Sequence, residues 1–281
     1  MLFVPAGFGF GQITPSWGTT RPATANGTSV TPVITNGWGT AVQLHAATTA
    51  DSYGISININ GLAGSNAYRP TAIQIGIDEA GGTNYVYRIV NLLCGGASAY
   101  TLPGSGVWYY FPMFIPKGST IAVQARSSTA TAFTVGTILT QELRDPMTMR
   151  TGSFMEAIGV TLGAATAAGV TITPGTTAEG AWTTVGTTTK RLWWWQVILQ
   201  HTTADTAWSA QTYHIDLAVG NATTKDLILT DVVSSDDATE NFNSLPHGAY
   251  YDVPAGSTIY ARVQASGALD TYTIAAYGMG G

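Results

Sequence analysis

Charge is what this sequence has least of. Lys, Arg, Asp and Glu make up 10% of its 281 residues, against about a quarter in an ordinary globular protein. The surface must therefore be built from Thr, Ser, Asn, Gln and Gly with some apolar atoms, and such a surface repels its neighbours weakly. The net charge of -5 offers no basic stripe to a phosphate backbone, so nucleic acid is not expected as a partner. The single cysteine, Cys94, rules out an intrachain disulfide and a thiolate cluster for zinc. No uncharged apolar run approaches the ~20 residues of a membrane-spanning helix. The opening MLFVPAGFGFGQ has no Lys or Arg and is broken by Pro5, which makes a poor signal peptide. Together these absences point to synthesis in a cytoplasm, without membrane anchoring.

Helix signals are nearly absent as well. Thr, Val, Ile, Tyr and Trp dominate the periodic segments, and Gly, Pro, Asn and Ser punctuate them at short intervals. That pattern predicts antiparallel all-β domains of the sandwich or jelly-roll kind. Ser153–Gly159, SFMEAIG, could be one short helical turn or the first strand of a second domain.

What the chain does contain is a repeat. PKGSTIAVQA runs from Pro116 to Ala125, and PAGSTIYARV from Pro254 to Val263. In each, Pro sets the first turn position and the Gly two residues on supplies positive φ. The strand that follows places Ile121, Val123 and Ala125 on one face, and Ile259, Ala261 and Val263 in the twin. Further pairs keep the same order. TTAD occurs at Thr48–Asp51 and Thr202–Asp205, and AIQIGID at Ala72–Asp78 answers YHIDLAVG at Tyr213–Gly220. AFTVGTIL from Ala132 answers TYTIAAYG from Thr271, and SVTPVITNGWGT from Ser29 resembles GVTITPGTTAEGAWTTVG from Gly169. The expected organisation is two tandem β-sandwich, jelly-roll-like domains from an internal duplication, 1–145 with an extended amino-terminal arm and 146–281. The charged linker QELRDPMTMRTG, Gln141–Gly152, marks the boundary.

Candidate chemistry is sparse. His45, His201, His214 and His247 have no metal spacing such as HExxH; His45 and His201 each lie just before a TTAD segment and so pair as counterparts. Asp226, Asp231, Asp236, Asp237, Glu240 and Asp252 form an acidic region without a DxDxDG pattern, readable as a solvated loop or a weak cation site. GxSxG is absent, and neither GFGFG nor GMGG opens a helix that could cradle phosphate. No catalytic residue, metal or cofactor is expected, and the chain reads as a non-enzyme.

The aromatic residues are the informative ones. In RLWWWQVILQ, from Arg191 to Gln200, Trp193 and Trp195 face one way along a strand and Trp194 the other. Leu192, Trp194, Val197 and Leu199 break simple parity, which predicts a bulge or burial on both faces. The three indoles can pack within the chain, one of them in a seam between domains, or anchor a subunit interface, or stack on a sugar ring. Phe8 and Phe10 alternate with glycines in a segment that is either a first strand or an arm plugging into a neighbouring subunit. Trp108, Tyr109 and Trp208 are candidates for glycan contact.

FGFGQ at the start, the Thr- and Gly-rich short strands and the two P-x-G-S-T-I units resemble virion structural proteins of tailed phages, in particular capsid decoration proteins, head-fibre bases and tail accessory proteins. The resemblance is one of style over the whole chain and matches no catalytic or binding signature. It implies a homo-oligomer bound to other virion proteins of a capsid or tail, assembled in the host cytoplasm and located on the virion. A receptor- or glycan-binding tail protein is the alternative it leaves open.

Overall fold

Strand-forming Thr, Val, Ile and aromatic residues, cut at short intervals by Gly, Pro, Asn and Ser, build an all-β molecule. The chain is seen as a computed structural model that describes residues 13–15, 27–33, 37–60, 71–94, 107–127, 130, 132–141, 150–163, 167–201, 211–236, 241–242, 248–266 and 272–281. The first stretch of the chain forms β1 (Ile13–Pro15), β2 (Thr28–Val30), β3 (Val42–His45), β4 (Ser52–Asn60), β5 (Thr71–Asp78), β6 (Val86–Leu93), β7 (Val107–Phe111), β8 (Thr120–Ser127) and β9 (Phe133–Gln141). The remainder forms β10 (Phe154–Ile158), β11 (Thr161–Leu162), β12 (Ala167–Ala168), β13 (Val170–Ile172), β14 (Thr183–Thr187), β15 (Leu192–His201), β16 (Gln211–Gly220), β17 (Lys225–Asp236), β18 (Asn241–Phe242), β19 (Ala249–Val253), β20 (Thr258–Ala265) and β21 (Tyr272–Gly280). Among the described residues there is no helix. Ser153–Gly159 supplies strand β10 rather than a helical turn.

The strands pair antiparallel within each half of the chain. In the first half, β1 and β2 flank β9, followed by β4 and β7; a second sheet runs β3-β8-β5-β6. In the second half, β10 and β13 flank β21, followed by β15 and β19; its second sheet runs β14-β20-β16-β17-β18. The two orders match strand for strand apart from β18 and a two-stranded β11-β12 sheet, which the second half adds. The same local devices recur. Asn91 and Asp231 are the two non-glycine residues with positive φ among those described, at 54° and 50°, and they sit at corresponding places in β6 and β17.

The repeated phrase owes its form to a clamp. In the first half, Thr48 donates its Oγ1–H to Pro116 O (2.7 Å) and accepts from Ser119 N (3.1 Å). In the second, Thr188 donates to Pro254 O (2.8 Å) and accepts from Ser257 N (3.0 Å). The backbone bonds match as well: Thr48 N to Ser119 O and Thr188 N to Ser257 O, both 2.9 Å, with Gly118 N returning to Thr48 O and Gly256 N to Thr188 O. Gly118 and Gly256 have φ of +86° and +81°, as the turn requires. Beyond the turn, Ile121, Val123 and Ala125 and their counterparts Ile259, Ala261 and Val263 are all buried.

One expected correspondence fails. Thr48–Asp51 precedes β4, whereas residues 202–205 follow β15, the counterpart of β4, and lie outside the described residues. His45 in β3 and His201 at the end of β15 are therefore not counterparts. The shared string TTAD misleads because what the fold requires is a threonine facing the turn, and Thr188 fills that place.

His45 ties the two sheets of the first half together: its Nε2 lies 2.9 Å from Thr137 Oγ1 on β9. Burial lowers its pKa from 6.5 to about 4. The unfolded chain takes up a proton below pH 6.5 that the folded chain refuses until about pH 4. This contribution to stability is thus whole above pH 6.5 and is lost at up to about 1.4 kcal/mol per pH unit as the pH falls between those values. In His45→Gln that slope disappears, so the stability gap between the two proteins in urea titrations narrows from pH 7 to pH 4. A gap that stays constant contradicts the assignment. Thr48→Val and Thr188→Val each cost about 1–2 kcal/mol, and the double variant costs their sum, because the clamps are independent; denaturant midpoints check this.

Candidate functional site

The three consecutive indoles are inside the molecule. Trp193, Trp194 and Trp195 are 1%, 1% and 0% exposed, and so present no surface to a neighbouring subunit or a sugar. The expected bulge is present: the register of β15 against β19 shifts between Leu192 and Trp194. Leu192 and Trp195 then enter the core of the second half, while Trp193 and Trp194 join the core of the first. Trp194 donates Nε1–H to Tyr110 O (3.3 Å) and meets the Tyr110 ring edge-on at 5.9 Å; Trp193 stacks on Tyr250 at 5.6 Å and lies under the Arg150 guanidinium. Tyr109 is 1% exposed and Trp108 half-buried, so Tyr109 is a core residue rather than a glycan contact. Phe8, Phe10, Trp208 and His247 lie outside the described residues.

These contacts form a seam. The face of β21 carrying Ala275, Tyr277 and Met279 belongs to the hydrophobic core of the first half, and the opposite face, with Ile274 and Ala276, to that of the second. The Tyr277 ring meets Tyr109 edge-on at 5.8 Å. Leu93 N donates to the Tyr277 hydroxyl (2.8 Å), which donates in turn to Asn91 O (3.4 Å), and the Tyr109 hydroxyl donates to Leu93 O. Burial holds both phenols well above their ordinary pKa. The edge strands β6 and β7 of the first half are thereby covered by a sheet of the second. Two self-contained sandwiches would each bury their own apolar residues, and neither half does: Trp193, Trp194, Tyr277 and Met279 of the second are buried against the first. In the first, Leu92, Leu93, Tyr109, Phe111 and Met113 need that cover.

The acidic region is dispersed. Asp252 pairs with Arg191 and, at 3.9 Å, with Arg150, which hold its carboxyl below the usual range. Asp231 lies 3.7 Å from the His214 ring, and Asp237 and Glu240 lie outside the described residues. Among the described residues no three His, Cys, Asp or Glu side chains gather as a metal-binding group. Cys94 is fully buried, and burial raises its thiol pKa well above the ordinary value.

The described residues include one concave surface that sequence reasoning missed. It lies on the outer face of the sheet β3-β8-β5-β6, has a volume of about 530 Å³, and is lined by Ala41, Gln43, Thr83, Tyr85, Tyr87 and Gln124. Gly76 on β5 gives the rings room: a Cβ there would stand 2.7 Å from Tyr85 Cβ and 3.0 Å from Tyr87 Cε1. Gln74 Nε2 donates to Gln124 Oε1 (2.7 Å), orienting that amide. The loop bearing Thr83 and Tyr85 is pinned by Asp78, whose carboxylate accepts from Ala80 N (2.9 Å) and Asn84 N (2.8 Å), and by the Arg88–Glu79 pair. The available signal was the spacing of Tyr85 and Tyr87, two aromatics of one parity beside a glycine-rich turn.

Neither a protein-family model nor a curated protein matches the chain. Among solved structures, PNGF-II is matched at a TM-score of 0.35 with 9% identity, over 83% of this chain and 57% of that one. The CBM22-1–CBM22-2 tandem domain of Paenibacillus barcinonensis Xyn10C is matched at 0.21 with 13% identity, over 83% and 82%. The VP2 subviral particle of infectious bursal disease virus is matched at 0.26 with 11% identity, over 84% and 58%. The chain spans little more than half the length of PNGF-II and of VP2. The likeness to a viral capsid protein and to a tandem CBM22 domain is weak, and the virus matched is not a tailed phage.

Tyr277→Phe removes the acceptor of the buried Leu93 N–H and costs about 1–3 kcal/mol, measured as a loss of denaturant stability across both halves. An unchanged midpoint would mean that the seam bond contributes nothing.

Proposed function

We propose that this chain is a non-catalytic structural protein of a virion surface, of the capsid-decoration or auxiliary head kind, which packs against copies of itself and other virion proteins. We further propose that its two halves descend from one copied segment. Low charge favours close packing with neighbours, and many weak contacts add by avidity.

The observation that carries the reading is an uncovered twin of the seam. In the first half Leu93, opposite Ala72, is 0% exposed beneath Tyr277; its counterpart Val233, opposite His214, is 46% exposed. Among the described residues β17 pairs beyond β16 only through Ser235 and Asp236, with β18, so Lys225–Ser234 is a sheet edge. A surface that demands cover in one half is left open in the other for a neighbouring subunit. Sedimentation at micromolar concentration should show self-association or stoichiometric binding to particles. Val233→Asp should weaken either by about tenfold or more while leaving the fold intact. A monomer that binds no particle rejects the reading.

A second reading, a receptor- or saccharide-binding surface protein, is favoured by the Tyr85–Tyr87–Gln124 groove alone.

A further inference from the structure

We infer that the outer face of β3-β8-β5-β6 is a binding site for a neutral oligosaccharide, held between Tyr85 and Tyr87 on one wall and Gln43 and Gln124 on the other. The inference rests on the second reading above and names the ligand class that suits it.

The second half provides an internal control. The paired registers put Val42 beside Val123 and Thr183 beside Ala261, so Ala41 corresponds to Trp182, Ala122 to Tyr260 and Gln124 to Arg262. Gln74, opposite Gln124, corresponds to Asp216, opposite Arg262. In the second half this face is filled. The Arg262 guanidinium lies 4.5 Å over the Trp182 ring and is held by Asp216 and Glu179, and Lys225 lies 4.6 Å over Tyr260. In the first half two alanines replace the two large aromatics, and a neutral amide pair replaces the ion pair. The same framework thus carries Trp182, Tyr260 and an ion pair on this face in the second half, and in the first a groove beside Tyr85 and Tyr87, with Ala122 buried.

What the groove offers defines its ligand. Among the described residues, those lining the groove carry no charge and offer no counterion to a phosphate or a carboxylate. Tyrosine rings present negative π faces that suit the weakly positive C–H face of a sugar ring. Gln and Thr side chains both donate and accept, matching hydroxyl groups. The volume of about 530 Å³ falls inside the roughly 300–1,000 Å³ of ordinary ligand sites. The pinned loop and the glycine floor keep the rings in place before a ligand arrives, which lowers the ordering cost of binding.

The test is calorimetric titration of the full chain with soluble xylo-, cello-, manno- and galacto-oligosaccharides, with sulfated and uronic-acid oligosaccharides as charged controls. At least one neutral series is expected to bind with a Kd between micromolar and millimolar. Ala41→Trp, which restores the bulk present in the second half, and Tyr87→Ala should each weaken binding by about tenfold or more. Thermal melting should show both variants folded. Absence of binding by every neutral series at millimolar concentration, binding confined to the charged controls, or binding untouched by either variant overturns the inference. Sedimentation is an independent readout: a chain that binds saccharide yet joins no particle keeps this inference and removes the structural one, and the reverse result does the opposite.

Discussion

The fold depends on one sheet being buried on both faces. A sandwich closes its core between two sheets but leaves edge strands and open sides. In the first half that side exposes Leu92, Leu93, Tyr109 and Phe111, a surface too apolar to leave in water. The β10-β21-β15-β19 sheet covers it, with Tyr277 reaching the backbone at Leu93 and Asn91. A phenol suits the position because its ring fills the core while its hydroxyl satisfies a buried edge-strand amide that has no neighbouring strand. The irregularity opposite Leu192–Trp194, where β19 holds an extra residue, accompanies the turn of Trp193 and Trp194 to one core and Leu192 and Trp195 to the other.

From this constraint follows an asymmetry between halves that share a strand order. The first half has its open side covered and a groove on its outer face; the second has its open side exposed at Val233 and carries Trp182, Tyr260 and Arg262 where the groove would lie. Each half thus presents one surface that its twin has closed. The residues lining the groove of the first half carry no charge, so contact there would rest on shape and neutral hydrogen bonds rather than on steering by charge.

Much of the fold was legible in the residues. Alternation at Ile121, Val123 and Ala125, and at Ile259, Ala261 and Val263, predicted strands with a buried face, and the glycines two residues after Pro116 and Pro254 predicted left-handed turns. The parity break in RLWWWQVILQ predicted the bulge. The groove was much less legible. It depends on what is small, Ala41 in its lining and Gly76 beneath the two tyrosines, and smallness at a position has meaning only beside the neighbour that fills the same place in the twin half. The TTAD strings misled for a related reason: four matching letters carry no register, whereas Thr48 and Thr188 are matched by the carbonyl each one binds.

Local chemistry thus determined the strand content, the turn form and which side of each strand is greasy, because those follow from steric limits on φ and from the two-residue period of a strand. Only the tertiary structure decided which greasy sides meet. Indoles and phenols with identical local propensity become core, seam or groove wall according to which sheet comes to lie against them, and that depends on packing between segments more than a hundred residues apart, as with Leu93 and Tyr277.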